Sequence, residues 1–350
     1  MRAAAVELSA RVWYDEKKGA SAMAEEKHRE FRRIAPGLRL PGAAMALFFP
    51  TLRESQMPRL AALCRFAFRG RWPGRRTDCR TEALTRADGT RLRLLVVTPK
   101  TPRPGAPGLV WMHGGGYAFG VPEQDCAYIE RFVLAGGCTV VSPDYRLSWQ
   151  APYPAALEDC YAALVWLRSH ARELGIRDDQ LFVGGDSAGG GLAAALCLYA
   201  REKNEVAVAY QMPFYPMLDD RMASGSARDN RMPVWDSAKN AESWRAYLGP
   251  LFGTGRVPAF AAPARAESLA GLPPLCTFVG TEEPFHDETA AYVQALRAAG
   301  VPADFLEFPG CYHAFDTTAP ASAQARLART FYMDSFRRAV RSCFAPQPEK

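Results

Sequence analysis

The sequence predicts an α/β protein whose mostly parallel sheet carries helices on both faces. Short apolar or β-branched runs bounded by glycine and proline recur from residue 81 onward, as expected for strands buried on both faces. Between these runs lie longer segments with apolar residues at three- and four-residue spacing, which is typical of amphipathic helices. Alternating strands and helices favour a parallel sheet, because each crossover between parallel strands needs a helix.

The elements follow in order along the chain. Strands are predicted at 91–98, 108–112, 138–141, 181–184, 275–279 and 304–308, and helices at 152–174, 187–201, 237–248, 288–299 and 322–340. Residues 1–80 are charged, helix-like and interrupted by prolines, without strand alternation. Residues 219–262 are polar, rich in Met and Trp, and interrupt the alternation, so they are predicted to form either a lid or a long surface excursion.

Composition limits the class of protein. The chain has 350 residues, 48% of them hydrophobic, and a net charge of +6, which suits a folded chain with a substantial core and excludes a disordered one. Its nine cysteines lack CxxC or Cys/His metal spacing, so we expect free thiols in a reducing compartment and no metal site. No apolar run is long enough for a signal peptide or a membrane span. A cytoplasmic protein is expected.

The densest basic stretch is RFAFRGRWPGRRTDCR at residues 65–80. It is compatible with a polyanion contact or with a solvated surface on which arginine stems pack over apolar neighbours. No nucleic-acid-binding fold signature accompanies it. The surface interpretation is therefore favoured, and no nucleic-acid partner is expected.

The strongest chemical motif is GGDSAGG, which contains G-x-S-x-G at Gly185, Ser187 and Gly189. It stands where a predicted strand must turn sharply into a helix. Such a turn holds the serine in a strained conformation, and side chains at the glycine positions would collide with strand and helix. The motif predicts a nucleophilic Ser187, with the amide of Ala188 facing a developing oxyanion.

A second motif, HGGGY, follows the predicted strand at residues 108–112. Its glycines, Gly114, Gly115 and Gly116, let backbone amides approach a substrate carbonyl without a Cβ in the way. Gly115 and Gly116 are the best candidates to complete an oxyanion hole with Ala188. The alternative, a phosphate cradle, lacks the Lys-Ser/Thr and G-x-G-x-x-G patterns. His113 is predicted to organise the loop.

Together, HGGGY and GDSAGG resemble the bacterial hormone-sensitive-lipase-like esterases, a family of α/β-hydrolases. The similarity extends through DYRL, PAALED, YPML and GLPP and covers residues 108–315. It implies an α/β-hydrolase core at 81–218 and 263–350, a helical cap at 1–80 and a cap or lid insertion at 219–262. SWQA stands at 148–151 where the family has Ala-Pro-Glu-His, a difference expected to alter loop detail. Asp144 and Arg146 are predicted to pair as buried support.

The resemblance also indicates where to seek the acid and the base. The family's acid precedes a proline, and here EEPFHD places Glu283 at that position, with Glu282 and Asp287 as rivals. Asp287 is the better candidate to support the loop. The base should follow the acid in the chain, and His313 in PGCYHAF fits. His286 lies too near the acid in sequence to serve.

The predicted function is hydrolysis of small, short-acyl carboxylic esters through an acyl-enzyme, with no metal or organic cofactor. An amidase or deacetylase, or a ligand-binding protein without turnover, are the alternatives. The oligomeric state is open, and a homodimer is compatible with the sequence. An apolar substrate pocket is proposed from aromatic and polar residues near the motifs, although core packing explains most of them nearly as well: Tyr117, Asp186, Met212, Phe214, Tyr215 and Trp235.

Overall fold

The computed structural model describes residues 31–72, 74–86 and 88–349. In this part of the chain eight strands form one sheet: β1 (Thr77–Thr85), β2 (Arg91–Pro99), β3 (Ala106–Met112), β4 (Thr139–Pro143), β5 (Ile176–Asp186), β6 (Tyr210–Phe214), β7 (Leu275–Gly280) and β8 (Ala303–Phe308). The α-helices used below are α1 (Pro36–Phe48), α2 (Met57–Phe68), α3 (Cys126–Gly136), α4 (Ala155–Ser169), α5 (Ala188–Lys203), α6 (Ser237–Leu248), α7 (His286–Ala298), α8 (Phe315–Thr318) and α9 (Ala323–Ser342).

The strand order is β1-β2-β4-β3-β5-β6-β7-β8. β2 pairs antiparallel with β1 and with β4, and the remaining neighbours pair parallel. The predicted mostly parallel α/β fold is confirmed. The parallel pairing brings the carboxyl ends of β3, β5 and β7 to one edge of the sheet, where ligand sites form in such folds.

Core residues lie in two layers, one on each face of the sheet. β2 shows the alternation: Leu94 and Val96 join one cluster, and Leu95 joins the other. Helices α4, α5 and α7 cover the first layer, whereas α3 and α9 cover the second. Because successive side chains of a strand point to opposite faces, a strand buried on both sides is apolar throughout.

Every predicted strand and helix is present, with bounds shifted by a few residues, but three elements of five or more residues were missed. β1 begins at Thr77, inside the region predicted to lack strands, so the predicted boundary at residue 80 falls within this strand. Its polar, largely exposed sequence follows from its place at the sheet edge. β6 contains Pro213 and pairs with β7 only through Gln211, so its strand signal is weak. The third is α3.

The N-terminal helices and the 219–262 segment meet beside the sheet. α6 in that segment begins after Asp236, whose side chain accepts a hydrogen bond from the amide of Lys239 at 2.8 Å. The ammonium of Lys239 lies 5.4 Å from the ring centre of Phe49, at the end of α1. The two segments that were predicted to form a cap, 1–80 and 219–262, therefore contact each other. Residues 1–30 of the first segment lie outside the described residues.

All nine cysteines are free, and five of them are buried. This agrees with the expectation of unpaired thiols. Among the residues described, none of the helices combines the length and the apolar character that crossing a bilayer requires.

Candidate active site

The turn between β5 and α5 carries Ser187. Its backbone angles, φ 57° and ψ −118°, belong to a sparsely populated region that costs about 1–3 kcal/mol. A Cβ on Gly185 would lie 2.4 Å from the carbonyl oxygen of Gly189, and one on Gly189 would lie 2.1 Å from that of Met112. The close approach predicted for the motif is therefore present, and it leaves no room for any other residue at either glycine.

Ser187, His313 and Glu283 form one buried chain of hydrogen bonds. The Oγ atom of Ser187 lies 2.8 Å from Nε2 of His313, and Nδ1 of His313 lies 2.5 Å from Oε2 of Glu283. The second oxygen of Glu283 accepts a hydrogen bond from the amide of Gly280 at 2.8 Å. The structure thus brings the three predicted catalytic residues together in the arrangement of a nucleophile, a base and an orienting acid.

The two rival carboxylates have other partners. Glu282 pairs with Arg33 at 2.8 Å. Asp287 accepts a hydrogen bond from the amide of Ser226 at 2.8 Å and lies 2.8 Å from His286. These contacts give Asp287 the loop-supporting place expected of it, and they leave Glu283 as the carboxylate that faces the imidazole of His313.

The glycine loop after β3 borders the same spot. Gly114 and Gly115 line the cavity beside Ser187. Gly115 has φ +118°, and a Cβ there would lie 2.1 Å from the carbonyl oxygen of Phe119. A Cβ on Gly116 would meet the ring of Trp235. Ala188 begins α5, where the first amides of a helix lack partners within it.

His113 stabilises this loop from beneath. It is buried, its Nδ1 lies 2.8 Å from the carbonyl oxygen of Gly114, and its ring stacks on Tyr145 at 4.3 Å between centres. Burial lowers the pKa of His113 to about 4, so the ring is neutral at physiological pH. The expectation of an organising role, separate from the base, agrees with this geometry.

A cavity of ≈620 Å³ opens above Ser187 and His313. The apolar part of its lining comes largely from α1, α2 and the residue after α1, and includes Met45, Phe49 and Leu60. The polar part of its lining includes Asp186 and Tyr128. A pocket of this size with a few convergent polar groups suits a small organic molecule.

Several predicted pocket residues are core residues instead, so those predictions are wrong. Tyr117, with φ 58°, turns into the core and stacks on Tyr247 at 3.9 Å between ring centres. Met212, Phe214 and Tyr215 are buried in the layer covered by α9. The proposed residues that do line the cavity are Asp186 and Trp235.

Three buried carboxyl groups in the cavity lining were only partly anticipated, since Asp125 and Asp316 carried no recognisable sequence signal. Burial raises the pKa of Asp125 to about 6. Burial, the charge of Asp125 and a hydrogen bond to it raise the pKa of Asp186 well above its usual range. Burial also raises the pKa of Asp316, although Tyr128 donates a hydrogen bond to it. The surroundings of Asp186 therefore favour its protonated form.

The expected pairing of Asp144 with Arg146 is wrong. Arg146 lies 3.0 Å from Asp159, which also accepts a hydrogen bond from the amide of Arg146 at 2.8 Å. Asp144 lies 3.3 Å from Arg93 instead. Asp159 belongs to α4, so the partner of Arg146 comes from the helix that follows the loop.

The fold and the similar proteins together indicate a carboxylic ester hydrolase of the α/β-hydrolase class. The chain matches the family described as having the α/β hydrolase fold over residues 109–317, and it belongs to that family. Within it, the relatives identify the chain as a bacterial hormone-sensitive-lipase-like carboxylesterase.

Three similar proteins illustrate the relationship. Esterase LipI of Mycobacterium tuberculosis is 36% identical over 200 residues, which are 57% of this chain and 62% of LipI; the match thus spans less than two thirds of that protein. Carboxylesterase NlhH of the same organism is 32% identical over 67% of this chain and 76% of its own length. The structure of a bacterial heroin esterase is 32% identical and has a TM-score of 0.80, covering 89% of this chain and 99% of that one.

Proposed function

We propose that the chain hydrolyses small, short-acyl carboxylic esters through an acyl-enzyme formed on Ser187. The observation that carries this proposal is the hydrogen-bond chain from Ser187 through His313 to Glu283, with distances of 2.8 and 2.5 Å. A serine is a weak nucleophile until a positioned base accepts its proton.

In the first half of the reaction, Oγ of Ser187 forms a bond to the ester carbonyl carbon while its proton passes to Nε2 of His313. The carbonyl oxygen becomes an oxyanion. When the tetrahedral intermediate collapses, the bond to the leaving alcohol breaks, and His313 gives that alcohol the proton. Water then attacks the acyl-enzyme by the same route. Glu283 holds the imidazole in the productive tautomer and stabilises its cation.

The oxyanion would be bound by amides from two directions. Gly114, Gly115 and Gly116 supply the loop after β3, and Ala188 supplies the first amide of α5. One such donor typically contributes about 3–4 kcal/mol to transition-state stabilisation. The apolar part of the cavity lining, which comes largely from α1 and α2, suits the hydrocarbon part of the ester. We assign α1, α2 and the 219–262 segment to a cap over the site.

The test is a panel of p-nitrophenyl esters of increasing acyl length, run on the wild type, Ser187→Ala and His313→Ala. We expect activity on the short esters, falling by at least about 1,000-fold in both variants. His170→Ala is the matched control. His170 follows the last residue of α4 and stacks on Trp166 of that helix at 4.3 Å between ring centres, so its loss should leave activity unchanged. Wild-type activity in either active-site variant would refute the mechanism.

Two alternatives give different results in related assays. An amidase or deacetylase would act on anilides at rates comparable with the matched esters. A ligand-binding protein without turnover would fail to form a covalent adduct between a fluorophosphonate and Ser187. The free thiols favour a reducing compartment, and on that ground we assign the protein to the cytoplasm.

A further inference from the structure

The outward face of α1 is apolar. Residues exposed at helical spacing on it are Leu40, Ala43, Ala44, Leu47 and Phe48, and Phe48 is 82% exposed. The opposite side of the helix, with Leu38 and Gly42, is buried. A surface helix normally turns charged and polar residues to solvent, so α1 presents a second apolar stripe that nothing in the core uses.

α2 continues this surface. Leu63 and Phe66 are exposed one turn apart, Phe66 by 77%, and Phe68 follows. Six of the ten large apolar side chains exposed in the described part of the chain therefore fall between residues 40 and 68. We call this surface the α1–α2 face; it consists of Leu40, Leu47, Phe48, Leu63, Phe66 and Phe68. Clustered exposed apolar residues mark interaction sites, whereas scattered ones do not.

The α1–α2 face is continuous with the entrance to the active-site cavity. Phe48, Leu63 and Phe68 are exposed to solvent and also line the cavity that contains Ser187. A side chain that is exposed to solvent and also lines the cavity lies at the cavity entrance. A partner that binds to the α1–α2 face therefore also lies next to the entrance of the cavity that contains Ser187.

The net positive charge of the chain is concentrated in the same segment. Residues 31–76 contain ten arginines, no lysine and one glutamate, a net charge of +9, whereas the whole chain carries +6. The remainder is therefore slightly acidic, at −3. Arg59 and Arg69 are exposed at the two ends of the apolar run of α2, and Arg71 lies 5.9 Å from the ring centre of Phe66. An apolar surface ringed by arginine suits an anionic interface.

We propose that the α1–α2 face docks on an anionic lipid surface, with the apolar side chains entering the headgroup layer and the arginines meeting lipid phosphates. The cavity mouth then opens against the lipid, so an ester dissolved in the membrane reaches Ser187 without crossing water. Docking does not depend on the proposed esterase function. Only the delivery of the ester to Ser187 rests on that function.

Charge complementarity selects lipid over the other occupants. A second copy of the chain would bring one +9 segment against another, which is repulsive. Residues 1–30 contain six basic and six acidic residues, so that segment offers no net negative charge to the arginines. An anionic bilayer supplies both the apolar phase and the charge.

The test is flotation of the full-length protein with vesicles of phosphatidylcholine, with and without phosphatidylglycerol. We expect binding to the anionic vesicles that weakens with salt and falls about five-fold for each arginine removed, as in Arg59→Gln and Arg71→Gln. Leu47→Gln with Phe66→Gln should reduce binding at least about ten-fold. Leu327→Gln in α9 is the control, since Leu327 is an exposed leucine, at 62%, that does not belong to the α1–α2 face.

Neither Leu47 nor Phe66 lines the cavity, so the double variant should keep its activity on a water-soluble ester. Equal binding to both vesicle types, or equal losses in the control, would overturn the proposal. So would a dimer in light scattering that the double variant abolishes, because the face would then be an interface between copies. Vesicle binding by a chain inactive on every ester would refute the proposed function while leaving docking intact.

Discussion

One carboxylate, that of Glu283, joins His313 to the end of β7: its Oε2 lies 2.5 Å from Nδ1 of His313, and its Oε1 accepts a hydrogen bond from the amide of Gly280 at 2.8 Å. Both oxygens are buried with their partners. The imidazole is therefore oriented by a group that is itself fixed to the sheet.

Glu283→Gln should lower kcat/KM for a short ester about 1,000- to 10,000-fold. The amide can donate to Nδ1 and so favour the tautomer that cannot accept the proton of Ser187, the effect known for the equivalent acid-to-amide change in serine proteases. Steady-state kinetics at constant pH measures the loss. Glu282→Gln is the control and should change the rate less than about three-fold. A larger loss in Glu282→Gln than in Glu283→Gln would reassign the acid.

Ser187→Gly should be more stable than Ser187→Ala by about 1 kcal/mol. Both variants lack the hydroxyl, so they differ in the cost of φ 57° and ψ −118°. Relief of that strain is worth about 1–3 kcal/mol and exceeds the entropic cost of glycine, about 0.4–1 kcal/mol. Urea unfolding of the two proteins gives the difference, and a more stable alanine variant would show that the turn is not strained.

Gly115→Ala should destabilise the protein by about 2–4 kcal/mol and remove most of the activity. The new Cβ would lie 2.1 Å from a backbone oxygen, that of Phe119, at φ +118°, so the loop must move. Gly37→Ala is the matched control because it has open space around it in α1; it should raise stability by about 0.5–1 kcal/mol. Thermal unfolding and ester kinetics report both effects, and equal behaviour of the two variants would contradict the close approach.

Asp186→Asn should change how stability depends on pH. The pKa of Asp186 is raised in the folded state, so above pH 4 the unfolded chain releases a proton that the folded protein keeps. The free energy of unfolding of the wild type therefore falls as pH rises from about 4 toward the folded pKa, by at most about 1.4 kcal/mol per pH unit from this group. The neutral asparagine lacks this contribution.

The measurement is the urea midpoint of both proteins between pH 5 and pH 8. The variant should gain stability relative to the wild type as the pH rises. Asp334→Asn, at an exposed position on α9, should follow the wild-type curve. Parallel curves for Asp186→Asn and the wild type would show that the buried carboxyl does not keep its proton.

The buried elements of the fold could be predicted from sequence because both faces of each strand are apolar, as in β3 and β7. The edge strand β1 could not, since one side faces solvent and its residues alternate with charges such as Arg80 and Glu82. The aromatic residues of β6 were assigned to a pocket because periodicity does not tell which layer a strand residue enters. Phe214 enters the layer beneath α9.

The reactive residues were predictable because a strained turn and an amide-bearing loop leave glycines in the sequence. The buried carboxyls were not, because Asp125 and Asp316 are brought to Asp186 by elements far apart in the chain. The roles assigned to Ser187, His313 and Glu283 remain predictions until the variants above are measured.

The absence of space at Gly189 limits how the substrate preference of this protein can be changed. A Cβ there would press on the carbonyl oxygens of both Met112 and His113, so the tip of β3 and the turn after β5 are locked against each other. A mutation that displaces the tip of β3 will therefore also displace the turn that carries Ser187, and the two behave as one rigid unit. New substrate preferences are therefore more readily gained by changing cavity-lining side chains in or next to α1 and α2, such as Leu60 and Phe49, than by changing this turn.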